Sequence, residues 1–292
     1  MPDDGFAPIL DLVRKARTSI DATVFRFDRP EIEMALREAV ARGVRVRALI
    51  AHTNRGGEKN LRKLETRLLE AGVTVARTAD DLLRYHGKIL IVDNTHVAVM
   101  LFNYTKLDAA SRSFAVLTRK RDVVGNAARL FEADMMRQRF VQPRNGPLVV
   151  SPGNARPLLA GFLRKAAREL FIYDPKVSDP AMLRILEERV SKGVDVRLIG
   201  TVGRRARLLE PARFAGARLH ARVIIRDGEA AFLGSQSLRT VELDARREVG
   251  LFVRDRGVVR GLRDVFEQDW SLTDRAKSAD VQKEEEAVAV AG

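Results

Sequence analysis

Two octapeptides carry one pattern: His86-Gly87-Lys88-Ile89-Leu90-Ile91-Val92-Asp93 and His220-Ala221-Arg222-Val223-Ile224-Ile225-Arg226-Asp227. Both read His-x-(Lys/Arg)-x4-Asp. The apolar run inside each is that of a buried strand. Residues two apart in a strand share a face, so each histidine projects with its basic neighbour. The aspartate falls at the far end, where the chain turns.

Working outward, the segments around the octapeptides repeat as well. Ile9, Leu10, Leu12, Val13 and Ala16 space out an amphipathic helix, and Ser19 to Phe27 follows as a strand. Pro30 opens a helix and Gly43 closes it before a strand from Val44 to Ile50. The second half replays the order: a helix from Pro157 to Arg168, a strand from Glu169 to Tyr173, and a helix between Pro180 and Gly193. Gly43-Val44-Arg45-Val46-Arg47 is echoed by Gly193-Val194-Asp195-Val196-Arg197, and Phe131-Glu132-Ala133-Asp134 by Phe266-Glu267-Gln268-Asp269. The chain is therefore expected to be an α/β protein built as a tandem pseudo-twofold repeat, with mixed sheets flanked by helices. The expected halves are residues 1–142 and 143–272, joined at a Pro- and Gly-containing seam from Val141 to Arg156. The first half alone has a long connection, Asn54 to Tyr85, with a helix expected from Lys59 to Ala71. Residues 273–292 lose the pattern, and Lys283-Glu284-Glu285-Glu286 followed by small residues suits a disordered tail.

Composition narrows the chemistry. The 292 residues, 46% hydrophobic and 31% charged, can bury a core without staples and exclude overall disorder. There is no cysteine, so disulfides, thiolate metal sites and cysteine nucleophiles are excluded. The net charge of +13 favours polyanionic partners: nucleic acid, an anionic membrane surface or phosphorylated substrates. An arginine-rich composition can also reflect base composition alone. No apolar run approaches the ~18 residues of a membrane span, and the start, Met-Pro-Asp-Asp-Gly, is acidic where a signal peptide is basic. The expected location is the cytoplasm or the periphery of a membrane.

A repeated histidine beside a fixed cation suits phosphoryl chemistry. A neutral imidazole is a nucleophile, a second imidazole protonates the leaving oxygen, and Lys or Arg neutralises phosphoryl oxygens. A pseudo-twofold axis would bring His86 and His220 to one cleft. Ligation of a metal by these histidines and the aspartates is the alternative. The cation beside each histidine opposes it, and no metal or other cofactor is expected. His52 and His96 have no counterparts in the other half and are expected to be structural or surface residues.

The pattern resembles the HKD motif of the phospholipase D superfamily, His-x-Lys-x4-Asp-x6-Gly-Ser-x-Asn. Asp227 is followed after six residues by Gly234-Ser235-Gln236-Ser237, and Asp93 by Met100-Leu101-Phe102-Asn103. The resemblance runs from about Pro8 to Trp270 and is greatest to cardiolipin synthase-type members. It implies a metal-independent phosphodiesterase or phosphatidyltransferase acting through a phosphohistidine, on phospholipid. A nuclease, or a degenerate protein that only binds anionic lipid or nucleic acid, is the alternative. By the same resemblance His86, Lys88, Asp93, His220, Arg222 and Asp227 are catalytic, the two aspartates orienting or tuning the imidazoles. Asn103, Gly234, Ser235, Ser237 and Glu248 bind phosphate oxygens. With both motifs in one chain, a monomer is expected.

Both motifs depart from the family. Met100-Leu101 replaces Gly-Ser, Arg222 replaces Lys, and Ser237 replaces Asn. Glu248 matches a downstream family glutamate, whereas Phe114 occupies that place in the first half. Read as erosion, these departures lower activity, and the combined substitution Arg222→Lys, Met100→Gly and Leu101→Ser is expected to raise it.

Overall fold

The computed structural model describes residues 1–53, 58–143 and 146–275. The first half runs α1 (Ala7–Arg14), β1 (Ser19–Val24), α2 (Pro30–Ala41), β2 (Arg45–Ile50), α3 (Glu58–Glu70), β3 (Thr74–Arg77), β4 (Arg84–Tyr85), β5 (Ile89–Val92), β6 (His96–Met100), α4 (Lys106–Ala109), β7 (Ser111–Arg112), β8 (Ala115–Thr118) and α5 (Arg121–Met135). The second runs β9 (Leu148–Ser151), α6 (Ala155–Arg164), β10 (Glu169–Val177), α7 (Pro180–Ser191), β11 (Asp195–Val202), β12 (Arg218–Leu219), β13 (Val223–Arg226), β14 (Ala230–Gly234), α8 (Thr240–Asp244), β15 (Arg246–Val253) and α9 (Arg256–Ser271).

Local chemistry sets the matched elements. Pro30 and Pro180 sit in the first turns of α2 and α7, where a missing N–H costs no helical bond. Glu31 and Glu33 favour the positive end of α2, and the Asp179 carboxylate accepts from the Ala181 and Met182 amides at the start of α7. Gly43 and Gly193 take φ of 86° and 81° just past the two helix ends, in the left-handed region that glycine enters freely.

Among the described residues one sheet has the order β3-β2-β1-β5-β6-β8 and the other β11-β10-β13-β14-β15-β4, with β9 also paired to β15. The central pairs match: β1 is parallel to β2 and antiparallel to β5, as β10 is to β11 and β13. The outer face of the first sheet packs Ile20 and Val46 against α1, α2 and α3. Its other face packs Ile89, Ile91 and α5 together with Leu148, Val249 and Leu251 of the second half. In the second sheet Leu170 and Ile172 face α6 and α7. Phe171, Tyr173 and Ile225 face α9 and meet Leu101 and Phe114 of the first half. The two repeats therefore share core. The seam expected from Val141 to Arg156 contains strand β9, antiparallel to β15 from Leu148↔Leu251 to Ser151↔Glu248.

The halves also exchange strands. Arg84 and Tyr85 of β4 pair in parallel with Arg246 and Arg247 of β15. Arg218 and Leu219 of β12 pair in parallel with Ser111 and Arg112 of β7. Each two-residue strand immediately precedes a motif histidine, so each histidine enters the molecule along the other half's backbone.

Asp93 and Asp227 correct the sequence reading, because they do not touch the imidazoles. They end β5 and β13 with φ of 53° and 54°, a left-handed conformation that aspartate tolerates better than most residues. The Asp93 carboxylate accepts from the backbone amides of Arg17, Thr18 and Ser19 and from the Thr18 hydroxyl at 2.7–3.1 Å. Asp227 accepts from the amides of Ala167, Arg168 and Glu169 at 2.7–3.2 Å. Each aspartate staples the end of a motif strand to the start of the strand beside it. Burial opposes the Asp93 charge, but the donated hydrogen bonds outweigh it and hold the carboxyl below its usual range.

At the C-terminal side, Thr273 is buried, its hydroxyl donates to Trp270 O at 2.7 Å, and it bridges to Phe214. The chain is thus packed past the point where a tail was expected to begin, while 276–292 lie outside the described residues. No helix among the described residues is long and apolar enough to cross a membrane.

Asp93→Ala orphans several amides at once and is expected to lower the unfolding free energy by about 2 kcal/mol. Urea denaturation measures the loss. A folded variant whose stability matches the native chain would contradict the stapling role.

Candidate active site

His86 lies at the entry to β5. Its Nδ1 is 2.8 Å from Oε2 of Glu248, which β15 of the other half supplies from a fully buried position. The Ser235 hydroxyl bonds the backbone beside it, accepting from the Val249 amide at 3.0 Å and donating to Val249 O at 3.4 Å. Lys88, two residues on and on the same face, places Nζ 2.9 Å from His86 Nε2 and 3.2 Å from Nδ1. The edge-on ring of Phe25 closes the pocket at 4.7 Å between centroids.

His220 lies at the corresponding entry to β13. Its Nδ1 is 2.7 Å from Oδ1 of Asp108, on α4 of the first half. Asp108 is held in turn: Asn103 donates from N at 2.8 Å and from Nδ2 at 2.7 Å, and Arg218 Nη1 donates at 2.8 Å. The Asp108 amide donates to the Thr105 hydroxyl at 3.2 Å, which caps α4. Arg222 takes the place of Lys88, donating from Nε to Ser237 Oγ at 3.1 Å and from Nη1 to His220 O at 3.2 Å.

The two pairs share one field. Burial, then the charges of Lys88 and Arg222, push the His86 pKa well below its usual value, and His220 acts on it as well. Burial lowers His220 to about 4 despite the opposing pull of Asp108, and Arg222 and Lys88 add to the fall. Burial brings Lys88 down to about 7. The carboxylates diverge. Burial raises Glu248. It pulls Asp108 upward too, but there the bonds from His220 and Asn103 win and hold the carboxyl well below its usual range. A carboxylate oxygen lies within 2.8 Å of each Nδ1, so Nε2 is the nitrogen of each ring left away from a carboxylate. Arg222 supplies fixed positive charge beside both, and Lys88 supplies it as pH falls below about 7.

Sequence reasoning found His86, Lys88, His220, Arg222 and Glu248, which the structure brings together. It missed Asp108. Strand register explains the arrangement and corrects the placing of Phe114: the Leu101 amide donates to Phe114 O as the Ser235 amide donates to Val249 O, so the buried Ser113, not Phe114, stands where the second half has Glu248. Leu101 and Phe114 lie in an apolar cluster with Phe171 and Tyr173. Asp108 supplies the missing carboxylate from a different element. Its sequence signal is Thr105-Lys106-Leu107-Asp108, a helix-capping pattern.

Each of the polar residues expected to bind phosphate has a protein partner. Asn103 bonds Asp108, Ser235 bonds the Val249 backbone, Ser237 bonds Arg222, and Glu248 meets His86. Gly234 allows close strand packing, since a Cβ there would come within 2.9 Å of Gly250 Cα. His52, 3.8 Å from Asp80, and His96, 2.9 Å from Thr95 Oγ1, have partners outside the site.

Pseudo-symmetric α/β halves that each place one histidine at a shared centre define a class of duplicated chains. This chain belongs to the phospholipase D-like family: the family model described as "Cardiolipin synthase, PLD-like domain" matches residues 9–135 and 159–270. Comparison with curated proteins gives no significant match. Among solved structures, a polyphosphate kinase from Porphyromonas gingivalis is similar at TM-score 0.73 and 19% identity, over 90% of this chain and 48% of that one. The chain thus spans about half the length of the kinase. A phosphatidylserine synthase from Haemophilus influenzae is similar at TM-score 0.68 and 12% identity, over 91% of this chain and 83% of that one.

The packing and charge of the site set two expectations. Met100 and Leu101 are 1% and 0% exposed, so they are core residues, which sets a packing cost against the gain expected from replacing them. Met100→Gly with Leu101→Ser is expected to destabilise the fold by roughly 4 kcal/mol, without raising activity, as urea denaturation and turnover would show. Between pH 6.5 and about 4 the unfolded chain binds a proton at His220 that the folded chain refuses, so stability falls as pH falls through that window. Unfolding midpoints at the two ends should differ less in His220→Gln than in the native chain; an unchanged difference contradicts the burial of a neutral imidazole.

Proposed function

We propose that this chain is a metal-independent phosphodiesterase or phosphatidyltransferase that works through a phosphohistidine, with phospholipid as substrate. The observation that carries the reading is the pair of histidines, each with Nδ1 against a carboxylate of the opposite half and with Lys88 and Arg222 acting on both.

In the first step His86 Nε2 attacks phosphorus, forming the P–N bond as the P–O bond to the leaving group breaks. Lys88 moves from the imidazole to a phosphoryl oxygen, and Arg222 neutralises the charge that develops. His220 gives a proton to the departing alkoxide. It then takes one from water or an alcohol, which attacks phosphorus and frees His86. The charges support this division of labour. Asp108 is held ionised and so supports an imidazolium at His220, while burial disfavours the charge on Glu248 and the cations keep His86 neutral. An anionic phosphodiester between the histidines would raise His220 toward the protonated form that the first step needs. Both histidines come from one chain, so a monomer suffices. The family description favours phospholipid over nucleic acid. Such a substrate calls for contact with an anionic bilayer, which the net charge of +13 favours.

The test is incubation with phosphatidylglycerol vesicles and, separately, with plasmid DNA, each with EDTA. Lipid turnover in EDTA is expected, with a phosphoenzyme that survives alkali and is lost in acid. His86→Ala is expected to abolish the phosphoenzyme, and His220→Ala to abolish multiple turnover. Cleavage of DNA alone would move the substrate to nucleic acid. Activity lost in EDTA and restored by a divalent ion, or a native chain inert toward both, would overturn the reading.

A further inference from the structure

The repeated segments ending in Asp134 and Asp269 play no part in the chemistry above, yet both aspartates are buried, on α5 and α9. Each grips an arginine of the opposite half. Arg247 Nε lies 3.1 Å from both oxygens of Asp134, and its Nη2 is 3.1 Å from Oδ1. Arg112 Nε lies 2.7 Å from Asp269 Oδ2 and its Nη2 2.9 Å from Oδ1, while the Tyr173 hydroxyl donates to Oδ2 at 2.6 Å.

The backbone of the same two arginines holds the histidines. Arg247 O accepts from the amides of His86 at 2.7 Å and Gly87 at 2.9 Å, and Arg112 O accepts from the amide of His220 at 3.0 Å. Each connection is a closed circuit. The closing helix of one half fixes an arginine of the other, whose carbonyl fixes the first half's own histidine.

The two circuits are copies at one register. Arg112 and Arg247 are 135 positions apart, as are Asp134 and Asp269, and the pairing of Met100 with Ala115 and of Gly234 with Gly250 gives that offset to the later strand of each sheet. In both halves the gripped guanidinium belongs to the residue whose carbonyl holds the histidine.

We propose that Asp134 and Asp269 are positioning residues for His86 and His220, acting through Arg247 and Arg112 to fix the peptide from which each imidazole hangs. A buried, charge-assisted arginine–carboxylate contact restricts both partners in geometry. Loosening it lets the histidine drift, and a misplacement of about 1 Å can cost a hundredfold in rate. The kinetic consequence rests on the phosphohistidine reading; the positioning itself does not.

The experiment compares Asp134→Asn and Asp269→Asn with the native chain, first by nitrogen NMR of the imidazoles. Asp134→Asn is expected to shift the His86 ring resonances and spare His220, and Asp269→Asn to do the reverse. With bis(4-nitrophenyl) phosphate, Asp134→Asn should lower kcat by about a hundredfold with KM changed less than about twofold. Asp269→Asn should spare phosphoenzyme formation from this good leaving group and slow it from an alkyl phosphodiester, which needs the acid. Should either variant fail to fold, Arg247→Lys and Arg112→Lys, which keep the charge and lose the fork, are read the same way. Folded variants whose ring resonances and kcat match the native chain overturn the proposal. A native chain without phosphodiester turnover overturns the phosphohistidine reading instead, and the resonances alone then decide the positioning.

Discussion

Everything at the centre depends on backbone pairing between the halves. β4 lies along β15 and β12 along β7, and each runs directly into a motif histidine. That pairing carries His86 to Glu248 and His220 to Asp108. Without it, each half would present an imidazole with no carboxylate at Nδ1 and an apolar face covered only by its own closing helix. The shared core is the other side of the same constraint, since Val249 and Leu251 pack with Ile89 and Ile91, and Leu101 packs with Phe171.

Within this symmetric frame the surroundings of the histidines are asymmetric. One faces a strand glutamate, and the other a helix aspartate held by an asparagine and an arginine. The carboxylates differ in hydrogen bonding, so burial raises one pKa and donated bonds lower the other. Two identical imidazoles thereby sit in different fields without any difference in their own covalent structure.

Much of this was legible in the sequence. The repeat, the buried strands after each histidine and the helix boundaries at Pro30, Gly43, Pro180 and Gly193 depend on local pattern, and the structure reproduces them. The grouping of His86, Lys88, His220 and Arg222 was also legible, because it follows from strand alternation and duplication, while Glu248 was legible only through the family resemblance and as a phosphate ligand rather than the partner of His86. What failed was non-local or ambiguous in type. Asp93 and Asp227 look catalytic by spacing, but a carboxylate at a strand end serves equally well as an acceptor for turn amides. Asp108 lies on a helix of four residues, and only the exchange of strands brings it to His220. Met100 and Leu101 look like losses from a motif until their burial shows them to be core.

The separation of partners along the chain bears on how the molecule is made. Glu248 lies 162 residues beyond His86. A nascent first half leaving the ribosome thus carries His86 and Lys88 before their carboxylate has been made, and the part of its inner sheet face that Val249 and Leu251 cover is still bare. The pairing of His86 with Glu248 forms only once β15 has emerged, so a product truncated before it holds the imidazole without its partner.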